Sequence, residues 1–442
     1  MILLSVVLIG SLLSSCSFVE ELMKSAETAA ELPKGIVEDA PLGYTEIDRL
    51  SFEGSAYYTP YRCDISYHTL TDDEQALYDG LLEKAYRVYP EADDSGFYHC
   101  EQVLCEDMTL SALEIRTALK AVYDDHPELY WISSSFKHLS DKSRNYTAVQ
   151  MFSVISPDRI ISETAALREA VDSFLLSVDE GMSEYEREKS VHDYLIDSCD
   201  YSSQAASADS ALGLEEYYSV YGALVRGEAV CEGYARAFQL ISNLLGLKAV
   251  GITGMSKGRS DSEEELHMWN AVSLDGDWVL TDVTWDDQEE LFQRYDYFNL
   301  PESEMNKDHT PSKLLSELSE DEIEDDSFTA VSLNLFVPPC EEDGWQYYVR
   351  ECPILSDFDG REVIDALFGA AERGEEQLQF YVDPESLDVT YAAEALFKDP
   401  QYFFDYIRDV NDRLEYTMID TSSVGFYCND KRSYIVVQFH YL

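Results

Sequence analysis

Basic residues are scarce in this chain: 31 lysines and arginines stand against 87 aspartates and glutamates, a formal charge of -56 over 442 residues. Such a field repels phosphate-bearing polymers and anionic headgroups, which argues against nucleic acid or an anionic membrane face as a partner. The acidity reads as a solubility device, because calcium capture would call for a loop of the D-x-[DN]-x-[DN]-G kind and none is present. Closely spaced cysteine pairs are missing too. The nine cysteines stand at 16, 63, 100, 105, 199, 231, 340, 352 and 428, and Cys100 with Cys105 has no second pair to complete a zinc site. No metal and no cofactor is therefore expected. There is no internal repeat and no low-complexity tract.

Core material is plentiful, with 45% hydrophobic and 12% aromatic residues in a chain long enough for two to four domains. The N-terminal stretch "MILLSVVLIGSLLSSC" is apolar, too short to span a bilayer comfortably, and ends in small residues, the pattern of a signal sequence. Its end, Leu13-Ser14-Ser15-Cys16, resembles the lipobox of bacterial lipoproteins, although no Lys or Arg precedes the apolar run. That resemblance implies cleavage before Cys16 and a diacylglycerol on its sulfur. The expectation is an exported protein, lipid-anchored in the cell membrane through Cys16 and facing outside. If Cys231 is also set aside as a working thiol, seven cysteines remain; an odd number cannot all pair, and bridges such as Cys340 to Cys352 do not follow from spacing.

The chain divides by pattern. Residues 1–16 form the signal segment, and the Glu/Ala-rich residues 17–44 form a tether. An α+β domain is expected over 45–160, from a helix "TDDEQALYDGLLEKAYRVY" with a Thr71/Glu74 capping box, a helix "SALEIRTALKAVYDDHPELYWIS" extended at its end, and a strand "NYTAVQMFSVIS". Residues 161–315 open with helices, including a second capping box at Ser183 and Glu186, then a polar loop "SSQAASADSALG". A helix starts near Cys231, with Tyr234, Phe238, Ile241 and Leu245 on one stripe as far as Gly246. Strands follow at "KAVGITG", "HMWNAVSL" and "DWVLTDVTW". An acidic linker at 316–328 leads to a second α+β domain over 329–442, ending in the buried strand "SYIVVQFHYL".

Chemistry concentrates at Cys231, on the first turn of an amphipathic helix. Unpaired N–H groups and the positive end of the helix dipole stabilise a thiolate there, and the same N–H groups suit a developing oxyanion. The competing reading is a small buried residue without a role. A base is supplied by the hairpin "LHMWNAVSLDGDWVLTDVTWDD". With Asp275-Gly276 as its turn, Leu274 pairs Asp277, Trp269 opposes Asp282 and His267 opposes Thr284. Alternation then brings His267 and Asp282 out on one face as diagonal neighbours. Cys231 attacks an acyl carbon, His267 exchanges the proton and Asp282 orients the imidazole, with Asp286 and Asp287 as competitors for the third role. Trp269, Trp278 and Trp285 read as packing. Glu232 reads either as a substrate contact or as a favourable first-turn acid, and His192 as a helix-surface or packing residue.

"AVCEGYARAFQLISNLLG", "HMWNAVSLDGDWVLTDVTWDD", "VHDYLIDSCDYS" and "VYGALVRG" together resemble the bacterial transglutaminase-like superfamily over residues 165–310. "DHPELYWIS" is similar to the N-terminal part of multidomain lipoproteins that carry this core. The resemblance implies an α+β fold with a papain-like core, in which a cysteine-bearing helix packs on an antiparallel sheet carrying the histidine and aspartate. Smaller α+β domains flank it on both sides. It implies that Cys231, His267 and Asp282 are the catalytic triad and that peptide or protein amides are the substrates, cleaved by protease, amidase or transglutaminase chemistry. Two positions depart from the usual motif: Met268 stands where Ala is usual and would bear on the mouth of the site, and Glu228 stands where a basic residue is frequent. The alternative is an idle binding or scaffold lipoprotein with the same core.

Overall fold

Both capping boxes read from the sequence close. The side chains of Thr71 and Ser183 accept from the N–H groups of Glu74 and Glu186, whose carboxylates reach back, starting the helices Asp72–Lys84 and Glu184–Ser198. A third, Ser111 with Glu114, starts the helix Ala112–Asp125. The computed structural model describes residues 43–52, 63–208, 213–257, 264–288, 293–317 and 333–442. The signal segment, Cys16, nearly all of the tether and most of the acidic run 316–328 lie outside these.

The first sheet has six strands, β1 Thr45–Glu46, β2 Arg87–Ala92, β3 Tyr98–Cys100, β4 Val103–Glu106, β5 Ile132–Asp141 and β6 Tyr146–Ser153, ordered β1-β2-β3-β6-β4 with β5 also on β6. The first helix is shorter than expected. It stops at Lys84, and "RVY" becomes β2, because Val88 and Tyr89 suit a pleated strand and Pro90 bars continued helix. Leu77, Leu81, Ile115, Ala118 and Val122 from the two helices share one core with Trp131 and Val149.

Next come the helix Pro157–Leu175, the capped helix Glu184–Ser198, and a short parallel pair, β7 Asp200–Tyr201 and β8 Glu228–Ala229. The polar stretch read as loop contains a four-residue helix, Ser203–Ala206. β8 runs directly into the helix Cys231–Leu244. This helix was expected to bury one stripe, but every residue from Gly233 to Ser242 is buried, Arg236 and Gln239 included. Behind it stands an antiparallel sheet in the order β11-β10-β9-β12: β9 Lys248–Lys257, β10 Glu264–Leu274, β11 Asp277–Thr281 and β12 His309–Pro311.

Toward the C-terminus a mixed sheet, β13 Ile354–Leu355, β14 Gln377–Val382, β15 Gly425–Asn429 and β16 Tyr434–Gln438, runs in the order β13-β14-β16-β15. Helices Arg361–Arg373, Val389–Phe397 and Tyr402–Arg413 supply its core with Leu367, Leu396 and Ile407. By compactness, the described residues up to 287 with those of 301–341 form one unit, and the described residues of 288–300 with 342–442 a second. The eight described cysteines are all free thiols, Cys340 and Cys352 among them. Among the described residues no helix is long and apolar enough to cross a membrane.

Candidate active site

The position of Cys231 follows from how its helix begins. Val230 takes the N-cap place with an extended backbone and no side chain able to cap, so the first turn has no side-chain acceptor of its own. The start is seated by the backbone instead: Val230 N–H donates to Tyr217 O at 2.9 Å, and Ser202 N–H to Ala229 O at 2.9 Å. Gly233 makes this seat possible, since a Cβ there would come within 2.8 Å of Tyr217 O and of Ala229 Cβ. Glu228, at the position that departs from the usual motif, accepts a 2.6 Å hydrogen bond from Ser202 Oγ beside this seat.

The hairpin register is as the Asp275-Gly276 turn dictates, with Leu274 opposite Asp277 and Asn270 opposite Thr281. Both turn residues have positive φ, 50° and 102°, as a two-residue hairpin turn requires. One part of the expectation fails. β11 ends at Thr281, and Val283–Asp286 is a short helix, so His267 has no partner at Thr284. The strand stops because Asp282 caps that helix, its Oδ1 accepting from Trp285 N–H at 3.1 Å. Asp282 itself is still extended, so the alternation carries through to it. Its Oδ2 meets His267 Nε2 at 2.6 Å, and both residues are buried.

The Cys231 side chain lies near enough to the imidazole to act on its charge. With Nε2 engaged by Asp282, Nδ1 is the nitrogen that a proton transfer would use. Burial opposes charge on His267, yet the Asp282 carboxylate and then Cys231 outweigh it and raise the imidazole to about 10. Asp282 is affected in the opposite sense: burial works against ionisation, but His267 and then His309 hold the carboxyl well below the usual carboxylate range.

The two competing aspartates are engaged elsewhere. Asp286 Oδ2 lies 3.1 Å from His192 Nε2, and Asp287 Oδ2 lies 2.7 Å from the Tyr234 hydroxyl. His192 is accordingly no surface residue: it is fully buried, with Asp193 3.1 Å from its Nδ1. Glu232 is held by Tyr123 Oη and Arg236 Nε, each 2.8 Å away, which favours the structural reading of that side chain. Met268 does not shape the mouth beside His267. Alternation turns it to the other face of β10, where it is buried over Gly251.

Two neighbours were not singled out from the sequence. Tyr201 is exposed, while burial around its hydroxyl and then the proximity of Cys231 hold its phenol well above the usual range. His309, on β12, is fully buried with Nε2 3.0 Å from Asp282 Oδ2 and Nδ1 2.8 Å from Asp308 Oδ1. No periodic pattern marks "DHTP": the strand is three residues long and its pairing with β9 is set by chain distant in sequence. The donor atoms of His267, Asp282 and His309 lie within 4.8 Å of one another, a spacing that a divalent cation also uses; the two short hydrogen bonds account for it here. Trp285 packs against both histidines and Trp269 lies beside them, so these two tryptophans build the wall of the site, while Trp278 packs on Phe336.

A helix-start cysteine, a strand histidine and a capping aspartate brought together in a mixed helix and sheet core define a transglutaminase-like arrangement. Residues 175–283 match the model of the transglutaminase-like superfamily. Among curated proteins it is similar to kyphoscoliosis peptidase of Mus musculus, 29% identical over 131 residues that make up 28% of this chain and 19% of that protein. It is also similar to kyphoscoliosis peptidase of Homo sapiens, 26% identical over 161 residues, 35% of this chain and 22% of that protein. The match thus spans about a fifth of the length of these relatives. A crystal structure of a TGase aligns at 14% identity over 43% of this chain and 52% of its own, with a TM-score of 0.26.

Proposed function

We propose that the protein is a cysteine acyl hydrolase or acyl transferase, exported and anchored by lipid on Cys16, that acts through a thioester on amide bonds of peptide or protein substrates. The observation that carries this reading is the 2.6 Å contact of His267 with the buried Asp282, with Cys231 near that imidazole at the first turn of its helix. A cysteine near an imidazole that a buried carboxylate orients, and whose protonated form that carboxylate stabilises once the sulfur has given up its proton, is a nucleophile prepared for acyl transfer.

In the proposed cycle Cys231 Sγ, its proton passed to His267, attacks the amide carbon, and the first-turn N–H groups, which the Val230 side chain does not cap, receive the oxyanion. The C–N bond breaks as His267 gives its proton to the departing amine, leaving an acyl thioester on Cys231. His267, now neutral, takes a proton from water or from an amine as that nucleophile attacks the thioester carbon; the C–S bond breaks and the imidazolium is restored. Water yields an acid and an amine yields a new amide. The peptidase name borne by the two curated relatives supports an amide as the bond acted upon.

The test is to expose the full chain to a thiol-directed activity probe and, separately, to candidate peptides, followed by mass spectrometry of the adducts. Labelling concentrated on Cys231, lost in His267→Ala, together with a trapped acyl group at Cys231, is the expected result. Slow and even labelling of all thiols with no acyl adduct overturns the reading and leaves an idle scaffold with the same core.

A further inference from the structure

The Asp282 carboxylate serves two histidines. Its Oδ2 accepts from His267 Nε2 at 2.6 Å and from His309 Nε2 at 3.0 Å, while Oδ1 accepts from Trp285 N–H at 3.1 Å. Both oxygens are therefore pinned, by donors from three different segments. Of these donors His309 comes from farthest along the chain, 27 residues on. Its ring is fully buried, and Asp308 Oδ1 stands 2.8 Å from its remaining nitrogen.

The sheet has been built to admit this ring. His267 stands opposite Gly254 on β9, and His309 stands opposite Ser256, two residues along the same strand, so both histidines rise from one face on either side of β9. Gly254 leaves open the space between them, where a Cβ would come within 2.5 Å of Trp269 and 2.3 Å of Thr310 O. Trp269 and Trp285 pack edge-on against His309, with ring centroids 5.0 and 4.4 Å away. Packing alone would be met by any flat ring. A carboxylate facing each of the two nitrogens is a polar arrangement that packing does not require.

We propose that His309 is a positioning residue: by holding Asp282 Oδ2 it fixes the carboxylate plane, and through it the direction in which the His267 imidazole faces Cys231. It is not a second base, because one ring nitrogen faces Asp282 and the other Asp308. The line of groups is thus Asp308, His309, Asp282, His267 and Cys231. The proposal rests on the reading of Cys231 as the nucleophile, and the experiment separates the two.

The experiment measures the second-order rate constant for iodoacetamide alkylation of Cys231 in the full chain, read at that residue by mass spectrometry. It compares wild type, His267→Ala, His309→Phe and His309→Gln, with thermal melts to establish that each variant is folded. Phenylalanine keeps the ring against the tryptophans and removes both nitrogens; glutamine places an amide N–H near the position of Nε2. Expected is a fall of about tenfold in His309→Phe, the scale of one hydrogen bond to a charged group, and recovery in His309→Gln to near the wild-type rate. If His267→Ala alkylates as fast as wild type, the nucleophile reading fails. If His267→Ala is slow while folded His309→Phe matches wild type, or if His309→Gln is no faster than His309→Phe, the His309 proposal alone is overturned. Should His309→Phe not fold, the comparison of His309→Gln with Asp282→Asn decides: equal loss in both overturns the proposal, and retention in His309→Gln alone supports it.

Discussion

At the scale of single residues, the molecule spends its buried polar contacts on orientation. Asp282 sits at a junction where a helix cap and two imidazoles converge, and the consequence is a charged pair maintained in a desolvated place. A histidine near 6.5 in the unfolded chain stands at about 10 when folded, so its contribution to stability is complete below about pH 6.5 and declines as pH rises through the folded value. The depressed Asp282 carboxyl contributes in the opposite direction: its share is complete above the unfolded value of about 3.9 and is lost as pH falls. Urea unfolding of wild type and Asp282→Asn over a pH series is expected to show the widest stability gap between about pH 4 and 6.5, narrowing from there toward pH 10. A gap that does not change with pH would mean that the pair is not charged in the folded protein.

At the scale of elements, Gly254 is tightly confined beside the site. A methyl group there meets the backbone oxygen of Thr310 as well as the Trp269 ring, and a backbone atom cannot rotate away. Gly254→Ala is expected to cost about 1–3 kcal/mol, the usual range for overpacking, and to speed amide exchange in His309–Pro311 relative to β10. Unchanged exchange in β12 would show that the short strand is held by something other than its fit over Gly254. The hairpin carrying His267 and Asp282 was legible because Asp275-Gly276 determines the register of everything behind it, and alternation does the rest. His309 was not legible, since a three-residue edge strand carries no period and its partner β9 lies some fifty residues earlier in the chain. The buried sides of the cysteine helix were hidden for a related reason: Arg236 and Gln239 lie off the apolar stripe, and the backbone oxygens that receive them, on Tyr123 and Asp124, are more than a hundred residues upstream. The overextended first helix and the lost end of β11 both failed where a local stop, Pro90 or the cap at Asp282, competes with a favourable pattern.

At the scale of the whole molecule, the charge of -56 is its dominant electrostatic feature, and like charges so numerous oppose compaction. Raising NaCl from about 20 mM to about 500 mM shortens the Debye length several-fold and is expected to raise the melting temperature of the full chain by screening that repulsion. Calorimetry with a neutral osmolyte at matched osmolality provides the control; an equal rise with the osmolyte would assign the effect to exclusion from the surface rather than to charge.

The contacts around Arg236 have a bearing on where the working unit ends. Its guanidinium stacks on the Tyr123 ring, 3.7 Å from the ring centroid, and donates to Tyr123 O at 3.0 Å, while Gln239 reaches Asp124 O at 2.6 Å. Those acceptors belong to the helix Ala112–Asp125, well upstream of the stretch 175–283 that matches the superfamily. Trimmed to that stretch, the polypeptide would keep Cys231, His267 and Asp282, and Arg236 would keep its Glu232 partner, but the guanidinium would lose the Tyr123 ring and carbonyl and Gln239 the Asp124 carbonyl, so the matching segment draws part of its scaffold from its neighbour.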